Sequence, residues 1–378
     1  MRLLAPRAAV PRLSRRALLG GATVVGVGAL AGCGRRTYAP TAAPDGSPES
    51  RLNIYSWGDY DDPANTKLFG KEHGYTVQLD AFASNEEMIA KLGTARGTSG
   101  YDIVVPTGSY VPQMVANGML APLNLSLIPN FANLEADARS RAWDPHDRHV
   151  VAKTIGTTGF IYDTKRITRP MTSWADFIAA AGGEAKGSVS VLDDPFEVAG
   201  IYLASHGHDL NTTDPAVLAD ARRFLVKDFA KLIRNFSSDP SQNIVQRDFA
   251  LMQCYNGDAR LGIDESDYEH WKFVYPTPTA NLWMDTWAIA AGCQHPDNAH
   301  AWINFMLEPE VGYRDMDYNG YPTGLKGQRE LAVRREVDMV DLVFPPEEVM
   351  TRLTAGILTE AQATLVDILN EVKAVAGA

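Results

Sequence analysis

From residue 51 onward, short runs of alternating apolar and polar positions are separated by longer runs with helical spacing. Leu52-Asn53-Ile54-Tyr55 alternates and is short, which predicts a strand. Pro63 to His73 carries helical spacing and stops at Gly74, after which Thr76-Val77-Gln78-Leu79 returns to strand. Ser84-Asn85-Glu86-Glu87 has the form of a capping box and predicts a helix through Leu92. Ile103-Val104-Val105 reads as a buried strand broken by Pro106. Val189-Ser190-Val191-Leu192 precedes a further helix, and Trp287-Ala288-Ile289-Ala290 precedes one over Pro296 to Leu307. Strands alternating with helices predict an α/β fold with mainly parallel sheets. Internal repeats are absent.

The first fifty residues follow different rules. A basic stretch ends in Ser14-Arg15-Arg16-Ala17-Leu18-Leu19, and an uncharged run of 16 residues, Ala17 to Gly32, leads to Cys33. That run is too short and too glycine-rich for a comfortable transmembrane helix. A basic n-region, an apolar h-region and small residues before a cleavage point predict an export signal over residues 1–32. The adjacent arginines resemble a twin-arginine signal. Leu30-Ala31-Gly32-Cys33 resembles a lipoprotein lipobox, so Cys33 is the expected site of lipidation and of anchorage to a membrane face. The alternative is an ordinary signal peptide with a chance cysteine. Residues 33–50, rich in Pro, Ala, Gly and Ser, read as a tether.

The remaining composition narrows the function. The 378 residues are 45% hydrophobic and 21% charged, enough for two to three packed domains and incompatible with a largely disordered chain. The net charge is −11, and removing the five arginines of residues 1–32 leaves 30 basic against 46 acidic residues, a net of −16. Such a surface repels phosphate backbones, which disfavours nucleic acid and favours cations. Two cysteines follow the tether, Cys254 and Cys293, and two separate buried thiols are favoured over a disulfide. No zinc spacing, Walker loop or nucleophile elbow occurs, and neither metal nor cofactor is expected. His206-Gly207-His208-Asp209 follows an apolar helical run and reads as a helix end rather than a metal site.

Seven stretches in order resemble one family. They are Ile54-Tyr55-Ser56-Trp57-Gly58-Asp59-Tyr60, Ser84-Asn85-Glu86-Glu87-Met88 with Ala90-Lys91-Leu92, Tyr101-Asp102-Ile103-Val104-Val105-Pro106, Thr172-Ser173-Trp174-Ala175-Asp176, Asn211-Thr212-Thr213-Asp214-Pro215, Leu282-Trp283-Met284-Asp285 and Gly320-Tyr321-Pro322-Thr323. Together they resemble the spermidine/putrescine-binding group of extracytoplasmic solute-binding proteins that serve ABC importers. The resemblance implies a two-lobed periplasmic binding protein fold (type II) with a hinge and a ligand cleft between the lobes. It divides the mature chain into one lobe of residues 51–156 plus 284–328 and another of residues 157–283 plus 329–378. It also implies a polyamine ligand, an ABC permease as partner, no enzymatic activity, and a location in the periplasm or on the outer face of the cytoplasmic membrane.

A polyamine needs carboxylates at its ammonium groups and aromatic faces along its methylenes. By resemblance Trp57, Asp59 and Tyr60 form a first cation-facing group, although a strand-end aromatic pair could equally pack under a helix. Thr107 stands where the family has a hydroxyl that touches ligand, followed here by Ser109 and Tyr110 rather than by a tyrosine two positions on. Asp194 and Glu197 fall in the cleft by resemblance. From the residues alone they are an N-cap and the closing acid of a capping box around Pro195. Trp283 and Asp285, two apart on a strand, share one face and form the pair most strongly implicated in gripping an amine. Tyr321 matches the last aromatic wall. Where the family has a tryptophan followed shortly by Gly and Asp or Ser, the match falls on Gly262-Ile263-Asp264-Glu265-Ser266-Asp267, which makes Asp267 the acidic contact and leaves one wall missing. Asp264 and Glu265 could add contacts or simply face solvent. Three alternatives stay open: the same fold with a different cationic or small solute, a non-transporting sensor, and a cell-envelope hydrolase using Asp194 and Glu197.

Overall fold

A computed structural model describes residues 50–94 and 99–377. The export signal, Cys33 and the tether up to residue 49 lie outside the described residues. The strands are β1 (Arg51–Trp57), β2 (Thr76–Phe82), β3 (Ile103–Val104), β4 (Val150–Asp163), β5 (Val189–Leu192), β6 (Asn235–Ser237), β7 (Leu251–Tyr255), β8 (Trp271–Val274), β9 (Asn281–Ile289) and β10 (Thr354–Ala355). The helices of six residues or more are α1 (Pro63–His73), α2 (Asn85–Thr94), α3 (Val111–Ala116), α4 (Trp174–Gly182), α5 (Pro195–Ser205), α6 (Pro215–Phe224), α7 (Pro240–Gln246), α8 (Asn256–Ser266), α9 (Pro296–Met306), α10 (Pro309–Asn319), α11 (Gln328–Arg334) and α12 (Gln362–Ala376).

Local chemistry sets several of these boundaries. Asp62 caps α1 by accepting from the Ala64 amide, Pro63 supplies the first turn, and Gly74 ends the helix in the left-handed region at φ 71°. Ser84 Oγ accepts from the Glu87 amide at 3.1 Å, but the Glu87 carboxylate reaches back to Ala83 N rather than Ser84 N, so the expected capping box is only half formed. A complete box does form at Ser173 and Asp176 at the start of α4. His206 follows α5 as a helix end, its ring stacked on Tyr202 at 4.0 Å, with Gly207 at φ 73° behind it.

The sheet runs β2-β1-β3-β9-β4-β7-β5-β6, with β8 on β4 and β10 on β9. The expectation of mainly parallel pairing needs correction. β1 pairs in parallel with β2 and β3, and β5 with β6 and β7, whereas the long central strands β4 and β9 run antiparallel to each other. The reason is topological. β3 and β4 share one direction, and β9 opposes both: it follows β8, which already runs antiparallel to β4, across residues 275–280 with no crossover helix between them. Residues Val150 to Thr157 of β4 face β9, and from Thr158 to Asp163 the same strand faces β7 and β8.

Separate cores sit on the two stretches of β4. Phe160, Trp174, Phe177, Val191, Ile201, Phe229, Leu365 and Ile368 belong to one. Leu52, Ile54, Phe69, Ile103, Trp287 and Trp302 belong to another, in which Phe69 meets Trp302 edge-on at 5.1 Å. Cys254 and Cys293 are buried free thiols in different clusters. No helix among the described residues is long and apolar enough to cross a membrane.

Candidate functional site

Asp285 lies on β9, its carboxylate gripped from two sides. Tyr60 OH donates to Oδ2 at 2.8 Å and Thr107 Oγ1 donates to Oδ1 at 2.7 Å. Thr107 is oriented in turn by Asn85, which accepts from its amide and donates to its hydroxyl. Behind Tyr60 lies a fully buried lysine. Lys153 Nζ stands 3.0 Å from Asp61 and 3.2 Å from Asp315, and sits 4.3 Å from the Tyr60 ring centroid. Burial pushes the Asp285 carboxyl up to about 6, even though Thr107, Tyr60 and Lys153 pull it down.

A second carboxylate group forms at the start of α5. Asp194 caps the helix through the amides of Phe196 and Glu197, as its position before Pro195 predicts. Glu197 does not complete a capping box. Its Oε1 accepts instead from Thr158 Oγ1 at 2.8 Å and Asn281 Nδ2 at 2.7 Å, which turns the carboxylate toward the point where β4 changes partner. Burial holds both acids above the usual carboxylate range, with added repulsion from Glu86 and Asp193 at Asp194 and from Asp194 at Glu197.

Rings line the space between these groups. Tyr60 and Tyr321 are 6.2 Å apart, Tyr321 and Trp283 5.0 Å, and Trp283 and Tyr255 5.4 Å, all edge-on. Two glycines seat them: a Cβ on Gly156 would lie 2.1 Å from the Trp283 ring, and one on Gly257 2.5 Å from the Tyr321 ring. Gly156→Ala should therefore displace Trp283 and cost about 1–3 kcal/mol of stability by overpacking, together with a loss of ligand affinity. Thermal unfolding and a ligand titration of the same variant check both. Stability and affinity equal to the parent protein would remove the seating role.

The expected residues divide as follows. Tyr60, Thr107 and Asp285 are in direct contact, Asp194 and Glu197 sit together, and Trp283 and Tyr321 share the ring wall. Trp57 is half-buried and packs on Phe82 at 4.5 Å, and its indole N–H is buried without an acceptor. Asp59 is not brought into the cluster; it is exposed in the turn after β1 at φ 48°. Asp267 is also apart from it, exposed at the C-terminal end of α8 at φ 48°, with Asp264 and Glu265 exposed on the same helix. The acid on that helix that meets the wall is Asp258 in the first turn, nine residues or about 13 Å earlier along the axis. It accepts a short hydrogen bond from Tyr321 OH, and burial pushes its carboxyl up to about 6.

Tyr255 and Asp258 thus stand against the ring wall, which residues 264–267 do not reach. The motif was present in the chain: Tyr255-Asn256-Gly257-Asp258 is an aromatic followed by Gly and Asp where a strand meets a helix, with tyrosine in place of tryptophan. Tyr110, one residue from the expected tyrosine position, donates to Glu86 at 2.6 Å. Among the described residues no group of His, Cys, Asp and Glu is placed to hold a metal.

The electrostatic consequence is one-sided. Asp194, Glu197, Asp258 and Asp285 converge on aromatic rings, and among the described residues none forms an ion pair with Lys, Arg or His. Buried or half-buried carboxylates without cations are costly in an unliganded protein. The arrangement suits an elongated ligand with separated positive charges and an aliphatic body.

Residues 65–332 match the family described as bacterial extracellular solute-binding protein. The spermidine/putrescine-binding periplasmic protein of Escherichia coli K12 is 31% identical over 312 residues, covering 81% of this chain and 86% of that protein. Among solved structures, the TpPotD lipoprotein of Treponema pallidum superposes with a TM-score of 0.75 at 28% identity, covering 85% of this chain and 99% of that one. The spermidine/putrescine ABC transporter substrate-binding protein PotD of Streptococcus pneumoniae gives 0.73 at 29% identity, with 87% and 100% covered.

Proposed function

Because the chain belongs to the bacterial extracellular solute-binding proteins, two-lobed binding proteins rather than enzymes, we propose that it captures a polyamine such as spermidine or putrescine and delivers it to the permease of an ABC importer. The observation that carries this reading is the set of four carboxylates without cations around the Tyr60–Tyr321–Trp283–Tyr255 wall. Ammonium groups would pair with Asp285, Asp258 and the Asp194–Glu197 couple, and the methylenes would lie against the rings. The lobes would be residues 51–156 plus 284–328 and residues 157–283 plus 329–378, a division supported by the change of partner along β4. Glu197, Asp285 and Tyr321 are all 5% exposed or less, so a ligand reaches them only when the lobes part. Ligand then bridges the lobes and shifts the equilibrium toward the closed form, which the permease recognises. An acyl anchor on Cys33 would hold the protein at the outer face of the cytoplasmic membrane.

The site makes a pH-dependent prediction. Asp258 and Asp285, both pushed up to about 6, bind protons more tightly in the folded protein than in the unfolded chain, where aspartate titrates near 4. A carboxyl group raised in this way stabilises the fold at low pH and loses that contribution as pH rises through its folded value. The unliganded protein should therefore lose stability between roughly pH 4 and pH 7, and Glu197, also held high, extends the loss upward. A polyamine needs the ionised acids, so its affinity should rise over the same interval and binding should release protons. Thermal shift measurements at pH 5.5 and 8 with and without spermidine test this. A shift that is larger at pH 5.5, or none at either pH, would count against the reading.

A further inference from the structure

On the second stretch of β4, away from the acidic site, a pocket of about 260 Å³ is lined by Asp163, Arg166, Arg247, Phe249, Tyr268 and Trp271. Thr158, which contacts Glu197, and Asp163 are five residues apart on the same strand, or about 17 Å. Both arginines are exposed, and neither has an acidic partner among the described residues. Arg247 ends α7 in the left-handed region at φ 57°, and its guanidinium makes no hydrogen bond or ion pair, lying instead 5.2 Å from the Tyr268 ring centroid. Arg166 donates one hydrogen bond, to Ser188 Oγ at 3.0 Å. The carboxylate in the pocket, Asp163, accepts from Tyr268 OH at 3.1 Å and from the Lys165 amide at 2.8 Å, both at Oδ1. Trp271 is only 9% exposed, and its indole N–H is buried without an acceptor.

The Trp271 ring lines the same pocket, so its indole N–H resonance reports on what enters it. Guanidinium groups left with free donors match the oxygens of a tetrahedral oxyanion, often in bidentate fashion. We propose that Arg166 and Arg247, beside the Trp271 ring, form a binding site for a phosphate-type oxyanion, supplied either as free phosphate or as a phospholipid headgroup. The location is notable because the rest of the mature chain is strongly acidic. This site is independent of the polyamine cleft, and either assignment can fail alone.

The test follows the indole N–H resonance of Trp271 in the full-length protein, assigned with Trp271→Phe. Inorganic phosphate should shift it saturably beyond the effect of chloride at equal ionic strength. Arg247→Asn, which tolerates the left-handed backbone, should weaken that response at least tenfold, and adding Arg166→Ala should abolish it. Arg166→Lys serves as a second variant that keeps the charge and loses the fork. In parallel, sedimentation with phosphatidylglycerol or phosphatidylcholine vesicles separates the two sources. Arginine-dependent capture by the anionic vesicles alone supports a headgroup, and a phosphate shift without capture supports the free ion. The proposal is overturned by a response that chloride reproduces, by one that survives in the double variant, or by silence toward both phosphate and vesicles.

Discussion

Asp285→Asn is expected to weaken polyamine binding by about 2–5 kcal/mol, a thirtyfold loss or more, while leaving the unliganded protein at least as stable as its parent. The two effects have one cause. In the unliganded protein the Asp285 carboxylate is buried, held by Tyr60 and Thr107 but not by a cation. Asn keeps the shape and one acceptor oxygen, and its amide can donate to Tyr60 OH, which has Thr154 Oγ1 as another acceptor. The charge whose desolvation the fold must bear is removed. When ligand is bound the same change leaves an ammonium desolvated without its counter-charge, the costly case for interfacial ion pairs. Calorimetric titration and thermal unfolding of the one variant measure both. A variant that binds as well as the parent would remove Asp285 from the site, whereas loss of both binding and stability would mean that its role is structural.

Lys153→Met is expected to be the most destabilising single change near the site, at about 3–5 kcal/mol. The Lys153 side chain is wholly buried and, among the described residues, is the one cation paired with both Asp61 and Asp315. Burial tends to lower its pKa, but the two carboxylates more than offset this and hold it charged. Burial meanwhile pushes Asp315 up in spite of Lys153, as expected when one cation serves two acids. Removing the cation leaves two acids facing each other beneath Tyr60, whose carbonyl also accepts from Lys153. The urea midpoint should fall with the m-value unchanged. Adding Asp61→Asn and Asp315→Asn should recover most of the loss, since removing all the charges is far cheaper than stranding two. A Lys153→Met midpoint within error of the parent would show that the acids do not need the lysine.

Much of the fold follows from local signals. The limits of α1 are legible because Asp62, Pro63 and Gly74 each satisfy a specific end requirement of a helix. The N-cap of α5 at Asp194 is legible for the same reason. Pairing direction in the sheet is not, because the antiparallel contact of β4 with β9 joins residues more than a hundred positions apart and leaves no mark in the period of either strand. In the site, Trp283 and Asp285 could be placed by their two-residue spacing on a strand. Tyr255 and Asp258, which the structure places at the ring wall, carry a tyrosine where a tryptophan was sought, so the sequence match fell one helix length downstream on Asp267, which lies exposed. Hydrogen bonds such as Thr158 and Asn281 on Glu197 arise from three separate elements, and no local pattern encodes them.

The central claim is that the carboxylate cluster holds a polycation, and titration calorimetry of the protein with putrescine, spermidine, spermine and a neutral sugar tests it most directly. Saturable one-to-one binding of at least one polyamine, with proton release that grows in buffers from pH 8 toward pH 6, is the expected result. Silence with all three amines, or binding of the sugar in their place, would contradict the account.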